Sequence, residues 1–275
     1  GRSVSDVRGS DLSPLPARRT DIHWIWDRAP LSVRLPFVPT SVADLLVSRR
    51  ASSTAGRIDG EHWNSMNAIA EPPGHGPAVF VTGANGFIGR ALGAYFSAHG
   101  YAVRGVDRIA DPARKVVAGD TVDPGPWRDA LAGCTIVLHT AAVVSNAVPA
   151  AEQWQTNVLG TRRVLEAASR AGVGRVVHLS SVRAYGDLGF PDGVEESWPL
   201  RPDGHAYVDT KVAAEAVAFQ AAAGGEVEVT VVRPGDVYGP GSRPWTIIPV
   251  EETKKGRLIL PAGGRGVFSP IYVDD

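Results

Sequence analysis

Tyr207 and Lys211 lie four positions apart in a stretch with helical character, so their side chains would share one face of that helix. A nearby ammonium group stabilises a phenolate, which lowers the pKa of a tyrosine from about 10 toward neutral pH. Such a tyrosine can exchange a proton with a hydroxyl/carbonyl pair. Tyr-x-x-x-Lys occurs by chance on many helices, but here Ser180 and Ser181 end the strand that precedes it. The pattern favours acid–base chemistry at a carbon–oxygen centre.

A second set of residues has the composition of a phosphate-binding turn. Gly83, Gly86 and Gly89 follow an apolar run and lead into a helical pattern, although their spacing is G-x-x-G-x-x-G rather than G-x-G-x-x-G. Gly83 allows a tight turn, Gly86 lets backbone N–H groups approach a pyrophosphate, and Gly89 lets the helix pack closely on the strand. The helix N-terminus would then direct unpaired N–H groups at the phosphates. The other cofactor contacts expected in this turn are Asn85, Phe87 and Ile88.

Asp107 ends the second predicted strand, 18 residues after Gly89. Dinucleotide folds place a carboxylate at this point to bind the adenosine ribose hydroxyls. A carboxylate would repel a 2′-phosphate, so NAD is favoured over NADP. Arg90 and Arg108 weaken this preference because either could reach a 2′-phosphate, and an ordinary strand-end aspartate is the alternative interpretation. NAD is therefore the expected cofactor, and NADP stays open.

Strands and helices alternate along residues 78–275, which predicts a parallel sheet covered by helices on both faces. Strands are predicted at 78–81, 102–106, 116–118, 135–139, 175–179 and 227–232, and helices at 87–99, 126–132, 152–171 and 207–223. The predicted fold class is α/β, a doubly wound Rossmann-type sheet. Residues 1–77, rich in Arg, Ser and Pro, are predicted to form an atypical, poorly ordered N-terminal extension. Met66 is the only methionine, so residues 1–65 are alternatively an upstream read-through or a tag.

Composition excludes several classes of function. A net charge of -1 gives no electrostatic reason to bind nucleic acid or an anionic membrane surface. The single cysteine, Cys134, excludes an intramolecular disulfide and fits a reducing compartment. No metal is expected, since none of the seven histidines has metal-ligand spacing to another histidine or cysteine. No apolar run approaches the roughly 20 residues of a membrane span, and no secretory signal is visible, so a soluble cytoplasmic protein is the default expectation.

Six ordered motifs make residues 78–275 recognisable. They are T-G-A-N-G-F-I-G (82–89), L-H-T-A-A (138–142), N-V-L-G-T (157–161), L-S-S-V-R-A-Y-G (179–186), Y-V-D-T-K (207–211) and R-P-G-D-V-Y-G-P-G (233–241). This part of the chain resembles the extended short-chain dehydrogenase/reductase family, in its NAD-dependent epimerase/dehydratase group.

The resemblance implies roles at the matching positions. Tyr207 would be the acid/base, Lys211 would hold the nicotinamide ribose, and Ser181, rather than Ser180, would orient the substrate carbonyl. The remaining implied cofactor contacts are Asp120 and Thr121 at the adenine, Ala141 and Ala142 along the groove, Asn157 in a mainly structural role near the active site, and Pro234 beside the nicotinamide.

The resemblance also implies a small-molecule substrate and family-like dimerisation through the helices at 152–171 and 207–223. Family members usually continue for several tens of residues beyond 271–275. The expectation is therefore a C-terminally truncated chain in which residues 234–275 begin the substrate region, with a nearly complete cofactor site and an incomplete substrate site.

Three functions remain open from the sequence. The leading one is NAD(P)-dependent interconversion of a secondary alcohol and a ketone. The second is epimerisation or dehydration of a nucleotide sugar by the same residues; dehydratases of the family typically carry acids beside the serine, where this chain has Val182 and Arg183, which argues against dehydration. The third is a dinucleotide-binding protein without catalysis.

Several further residues lie near these motifs in sequence. Asp187, His205, Asp209 and Trp245 could touch substrate, although a solvated loop or core packing explains each at least as well. His139 and His178, both on predicted strands, are expected to be satisfied core histidines rather than ligands.

Overall fold

A sheet of six parallel strands forms the centre of the computed structural model, which describes residues 77–145, 147–186, 193–265 and 268–275. The strands are β1 (Ala78–Thr82), β2 (Ala102–Asp107), β3 (Val116–Ala118), β4 (Cys134–His139), β5 (Arg175–Leu179) and β6 (Glu228–Val232). Their order across the sheet is β3-β2-β1-β4-β5-β6, so the direction of winding reverses between β1 and β4. Ligands of doubly wound sheets bind outside the carboxyl ends of the strands at such a reversal. The predicted fold class is confirmed, whereas the predicted extension lies outside the described residues except for Pro77.

Among the described residues, four α-helices lie between strands of the main sheet in chain order, and a fifth follows β6. They are α1 (Phe87–Ala98), α2 (Ala150–Trp154), α3 (Gly160–Arg170), α4 (Ala206–Ala223) and α5 (Ile248–Lys254). The sequence predicted one unbroken helix over 152–171, but a π-helical turn at Gln155–Leu159 separates α2 from α3. The helix predicted at 126–132 is a 3-10 helix at Pro126–Leu131. Within the described ranges, no helix is both long and apolar enough to span a bilayer.

The two faces of the sheet carry separate apolar cores. Every residue of β1 is buried, so its alternating side chains supply both faces. On one face Phe80 stacks on Trp127 with ring centroids 6.3 Å apart. On the other face Val79 and Val81 pack with Phe96 of α1. This burial explains why the strands are almost continuously apolar in sequence.

The last described part of the chain adds elements that the sequence did not predict. β7 (Asp236–Tyr238) pairs in parallel with β8 (Pro270–Tyr272) as a separate two-stranded sheet. A π-helical turn at Arg243–Ile247 leads into α5. These elements follow β6 and bring the residues after Pro234 to the carboxyl edge of the main sheet.

Candidate active site

A cleft of about 970 Å³ opens along the carboxyl ends of the strands, a size typical of small-molecule sites. It is lined by residues from the loops after all six main strands and from α4. Of the residues predicted from sequence, all but Asn157 line it: Gly83, Asn85, Gly86, Phe87, Ile88, Gly89, Asp107, Arg108, Asp120, Thr121, Ala141, Ala142, Ser181, Tyr207, Lys211 and Pro234. The fold thus brings together residues that lie up to about 150 positions apart in sequence.

The glycine turn between β1 and α1 is packed too tightly for larger residues. Gly83 has a φ of 66°, and a Cβ there would come within 2.9 Å of the Ala141 backbone. A Cβ on Gly89 would lie 2.2 Å from the Gly83 carbonyl oxygen. Gly86 is the N-cap of α1 and has no side chain, so no capping side chain accepts a hydrogen bond from the N–H groups of the first turn. Open N–H groups and small residues at this end of α1 fit a bound phosphate group.

Asp107, the last residue of β2, is fixed beside this turn by two backbone groups. Its Oδ2 accepts a hydrogen bond from the Asn85 N–H at 2.8 Å and its Oδ1 accepts one from the Arg108 N–H at 2.7 Å. A carboxylate offers about four lone-pair positions. Asp107 can therefore accept further hydrogen bonds from a diol, such as the hydroxyls of a ribose.

Asn85 is held on its other side by Arg114, which was not predicted from the sequence. The Arg114 guanidinium donates to the Asn85 side-chain oxygen, to the Ala84 carbonyl at 3.0 Å and to Asp111 at 2.8 Å. Arg90 donates to the Asn85 carbonyl at 2.9 Å. These contacts fix the conformation of the turn.

Asp120 and Thr121 lie after β3 at the far side of the same groove. The Asp120 carboxylate accepts a hydrogen bond from the Val122 N–H at 2.9 Å. Thr121 is buried, and a Cβ on Gly160 would lie 2.9 Å from its hydroxyl oxygen. Gly160 therefore lets α3 approach this loop closely.

Tyr207 and Lys211 project from the first two turns of α4 into the other half of the cleft. The Lys211 Nζ lies 5.9 Å from the centroid of the Tyr207 ring and donates to the Leu179 carbonyl at 2.9 Å. Burial lowers the pKa of Lys211 to about 8, and the Glu215 carboxylate opposes that effect. Lys211 is therefore mainly cationic at neutral pH, beside a phenol ring near the positive end of a helix.

Ser180 and Ser181 follow β5 and use their hydroxyls differently. Ser180 Oγ donates to Glu215 Oε1 at 2.5 Å, so its proton is engaged inside the protein. Ser181 Oγ accepts a hydrogen bond from the Arg183 N–H at 3.2 Å as the N-cap of a 3-10 helix at Val182–Tyr185. In that contact Ser181 is an acceptor, which leaves its proton available to a group in the cleft.

Asn157 lies in the π-helical turn, outside the cleft lining. Its side-chain amide pairs with both backbone groups of Val143, a cleft residue, through N–H to Oδ1 at 2.7 Å and Nδ2 to C=O at 3.0 Å. Its Nδ2 also donates to Thr210 Oγ1 on α4 at 3.0 Å. The amide thus joins the loop after β4 to the helix that carries Tyr207 and Lys211.

A buried chain of hydrogen bonds fixes the ends of β1 and β4. Thr82 Oγ1 and His139 Nδ1 are 2.7 Å apart, and His139 Nε2 and Thr161 Oγ1 are 2.9 Å apart. Because Thr161 donates its proton to the Asn157 carbonyl, His139 must donate from Nε2 and accept at Nδ1. Burial, with a further contribution from the Lys211 charge, lowers the pKa of His139 to about 3, so the imidazole is neutral.

His178 pairs in register with His139 on the neighbouring strand, and the ring centroids are 5.3 Å apart. Burial lowers its pKa well below the usual range. Neither of its ring nitrogens has a partner among the described residues. Both histidines are buried in the core as predicted, but among the described residues only His139 has the expected hydrogen-bond partners.

The cleft residues that the sequence missed or indicated weakly include Arg183, Asp236, Arg243 and Trp245. Trp245 was one candidate among several, and it does line the cleft. Asp209 instead accepts hydrogen bonds from the Asp203 and Gly204 N–H groups, which is a turn-stabilising role. Asp187 lies outside the described residues.

Comparison with known proteins places the chain in one family. A profile of the NAD dependent epimerase/dehydratase family matches residues 79–275. A 4-hydroxy-2-methyl-3-oxo-4-farnesyl-3,4-dihydroquinoline-1-oxide ketoreductase of Stigmatella aurantiaca is 35% identical over 71% of this chain and 60% of its own length. A putative dihydroflavonol 4-reductase of Synechocystis is 35% identical over 78% of this chain and 59% of its own length.

A solved structure supports the same assignment. MoeE5 in complex with UDP-glucose and NAD is 35% identical to this chain, with a TM-score of 0.61 and coverage of 72% of this chain and 68% of that chain. The chain spans about three fifths of the length of the two curated relatives.

Proposed function

The chain belongs to the NAD-dependent epimerase/dehydratase family, of the extended short-chain dehydrogenase type, and on this basis we propose that it is an NAD-dependent oxidoreductase that interconverts a secondary alcohol and a ketone. The observation that carries the proposal is that Tyr207, Lys211 and Ser181 face one end of a cleft whose other end holds the glycine turn and Asp107. One continuous cleft can then hold a dinucleotide and a small substrate side by side.

The residues that would hold NAD divide along the cleft. Gly83, Gly86 and the first turn of α1 would face the pyrophosphate, and Asp107 the adenosine ribose. The adenine would lie near Asp120 and Thr121, with Lys211 at the nicotinamide ribose. Asn85, Phe87, Ile88, Arg108, Ala141, Ala142 and Pro234 line the same path.

NAD bound there would supply the hydride chemistry, and the protein would supply position and the proton. Tyr207 would give its hydroxyl proton to the ketone oxygen in reduction and take it from the alcohol in oxidation. The Lys211 cation favours the phenolate by its charge. Ser181 would donate its hydroxyl proton to the substrate oxygen, since its bond from the Arg183 N–H uses a lone pair and leaves the proton available.

Reduction of a ketone is favoured over dehydration of a nucleotide sugar by Arg183. The position beside the serine where dehydratases carry an acid holds this guanidinium, which lines the cleft. Two relatives are also named as reductases, and neither name mentions a sugar. Epimerisation of a nucleotide sugar remains the second candidate, because MoeE5 was solved with UDP-glucose and NAD.

The decisive variant is Tyr207→Phe, which removes one oxygen atom. It should abolish turnover and leave NADH binding, measured by fluorescence titration, at the wild-type level. Tyr101→Phe is the matched control, because Tyr101 lies just before the amino end of β2, whereas the cleft lies at the carboxyl ends of the strands. Turnover that survives in Tyr207→Phe would contradict the assignment.

Two further results separate the alternatives. Stoichiometric NADH release on addition of an alcohol supports net oxidation, whereas product without net NADH supports epimerisation. Binding of NADH without turnover across a panel of alcohols, ketones and nucleotide sugars would indicate a non-catalytic protein.

A further inference from the structure

Glu215 is a carboxylate with no exposed surface, one helical turn beyond Lys211 on α4. Burying a charged carboxylate is costly unless it is paired and hydrogen-bonded. The proposed chemistry gives Glu215 no direct part, since it does not line the cleft. The residues that pair with Glu215 must therefore compensate for the cost of burying its charge.

The partners of Glu215 come from two other segments of the sheet edge. Arg233 binds the carboxylate with two nitrogens, through Nη2 to Oε2 at 2.7 Å and Nε to Oε1 at 2.9 Å. Ser180 donates to Oε1. Ser180 and Arg233 immediately precede Ser181 and Pro234, which line the cleft. One carboxylate thus joins α4, the end of β5 and the end of β6.

Arg233 extends this connection to the segment after Ser181. Its Nη1 donates to the Tyr185 hydroxyl at 2.6 Å and to the Glu196 carbonyl at 3.1 Å. Its guanidinium carbon lies 4.8 Å from the centroid of the Tyr185 ring. Tyr185 ends the 3-10 helix that Ser181 begins. Both ends of the short segment that carries Ser181 are therefore tied to the Glu215–Arg233 pair.

We propose that Glu215 is a positioning residue that sets Ser181, Lys211 and Pro234 relative to one another through its bonds to Ser180 and Arg233. This inference rests on the proposed function for its catalytic meaning. The carboxylate acts through its neighbours, because it does not line the cleft itself and reaches it through Ser180, a lining residue.

The charge of Glu215 also acts on Lys211. The titratable groups facing Lys211 are Tyr207 and Glu215 on α4, His139 on β4 and His178 on β5. Both histidines are neutral, so among these groups the Glu215 carboxylate is the one that favours the Lys211 cation at neutral pH. Removing this charge while keeping the side-chain shape should move Lys211 ionisation to lower pH.

Glu215→Gln in the full chain tests the proposal. The Lys211 ionisation midpoint is measured without substrate or cofactor, from the pH dependence of the difference in Tm between each protein and its Lys211→Met counterpart. We expect a midpoint below that of the wild type and a fall in kcat of about 100-fold, the size typical of a misplaced catalytic group. Ser180→Ala is the control: it removes one bond to Glu215 and keeps the charge, so its midpoint should equal that of the wild type.

A double variant covers the case in which Glu215→Gln does not fold. Glu215→Gln/Arg233→Met removes both charges and leaves no unpaired buried ion, a change that proteins often tolerate. It should fold, with the Lys211 midpoint still below that of the wild type. A folded variant that keeps the wild-type midpoint and kcat would overturn the positioning role.

The two proposals fail separately. If the wild type turns over no substrate, the proposed oxidoreductase function is wrong, and the ligand-free midpoint alone then decides whether Glu215 controls Lys211. If the wild type is active and Glu215→Gln keeps both the wild-type midpoint and the wild-type kcat, only the positioning inference is lost.

Discussion

The Asn157 side chain binds both backbone groups of Val143, accepting from its N–H at 2.7 Å and donating to its carbonyl at 3.0 Å. A side-chain amide can pair in this way with the N–H and C=O groups of one residue, because it carries a donor and an acceptor side by side. The contact gives the loop after β4 a fixed course along the cleft.

Asn157→Leu should therefore destabilise the protein and weaken NADH binding. The substitution leaves the Val143 N–H and C=O groups without their buried partners, which costs about 3 kcal/mol in the free energy of unfolding. Urea denaturation and NADH fluorescence titration measure the two effects. Gln153→Leu is the control, because Gln153 is also buried and, within the part of the chain that the structure describes, bonds to the Ser145 and Val148 carbonyls. An equal loss of NADH affinity there would speak against a specific role for Asn157.

Gly89→Ala should weaken NADH binding, whereas Gly93→Ala, in the same helix α1, should stabilise the protein. A Cβ at Gly89 would lie 2.2 Å from the Gly83 carbonyl oxygen, so the turn must move and NADH affinity should fall at least tenfold, about 1.4 kcal/mol. A Cβ at Gly93 would make an ordinary 3.8 Å contact with Val103, so alanine should stabilise the helix by up to about 1 kcal/mol. Wild-type NADH affinity in Gly89→Ala would show that the turn does not bind the pyrophosphate.

Asp107→Asn should reduce the preference for NADH over NADPH by about tenfold, or about 1.4 kcal/mol. The amide keeps an acceptor for one backbone N–H but loses the negative charge that repels a 2′-phosphate. Parallel fluorescence titrations with the two cofactors give the ratio. Asp120→Asn should weaken both cofactors equally, because the adenine that it would contact is common to them; an unchanged ratio in Asp107→Asn would contradict the assigned ribose contact.

The buried Lys211 should make stability rise with pH in the alkaline range. Its folded-state pKa of about 8 lies below the unfolded value of 10.5, so between these values the unfolded chain binds more protons and higher pH favours the folded state. Relative to Lys211→Met, the wild type should gain roughly 3 kcal/mol between pH 8 and 10.5. Urea denaturation across this interval checks the sign, and a flat difference would mean that Lys211 is not desolvated in the folded protein.

Acid should destabilise the sheet through His139 and His178. Both have folded-state pKa values below the usual value of 6.5, so protonation accompanies unfolding and stability falls as pH drops below about 6.5. Each fully neutral buried histidine contributes about 1.4 kcal/mol per pH unit in this range. His139→Gln, measured by Tm at pH 5 and pH 7, should remove part of the difference; an unchanged pH dependence in His139→Gln would contradict its burial as a neutral base.

The sequence was sufficient for the sheet because its signals are local. Apolar runs, the glycine turn and helix-ending glycines each occupy a few residues, and the structure confirms the six predicted strands with shifts of one residue or so at their ends. The spacing between Gly89 and Asp107 likewise depends on only one helix and one strand. Each of these features depends on residues that are close together in the sequence.

What the sequence did not predict depends on contacts between distant segments. Asn157 occurs in a helical pattern that continues through the π-helical turn, and its bonds to Val143 and Thr210 appear only in three dimensions. Glu215 and Arg233 look like ordinary surface charges, since a helix and a strand edge each carry such residues. β7 and β8 are three residues long and more than thirty residues apart, too short for a periodic pattern.

The strand order β3-β2-β1-β4-β5-β6 also determines when each half of the cleft can form during synthesis. A nascent chain that has emerged through β4 already contains the glycine turn, Asp107 and both walls of the central crevice. The Glu215–Arg233 pair, in contrast, cannot close until β6 has left the ribosome. The half of the cleft that would hold the dinucleotide can therefore form earlier during synthesis than the half that would hold the proton donor.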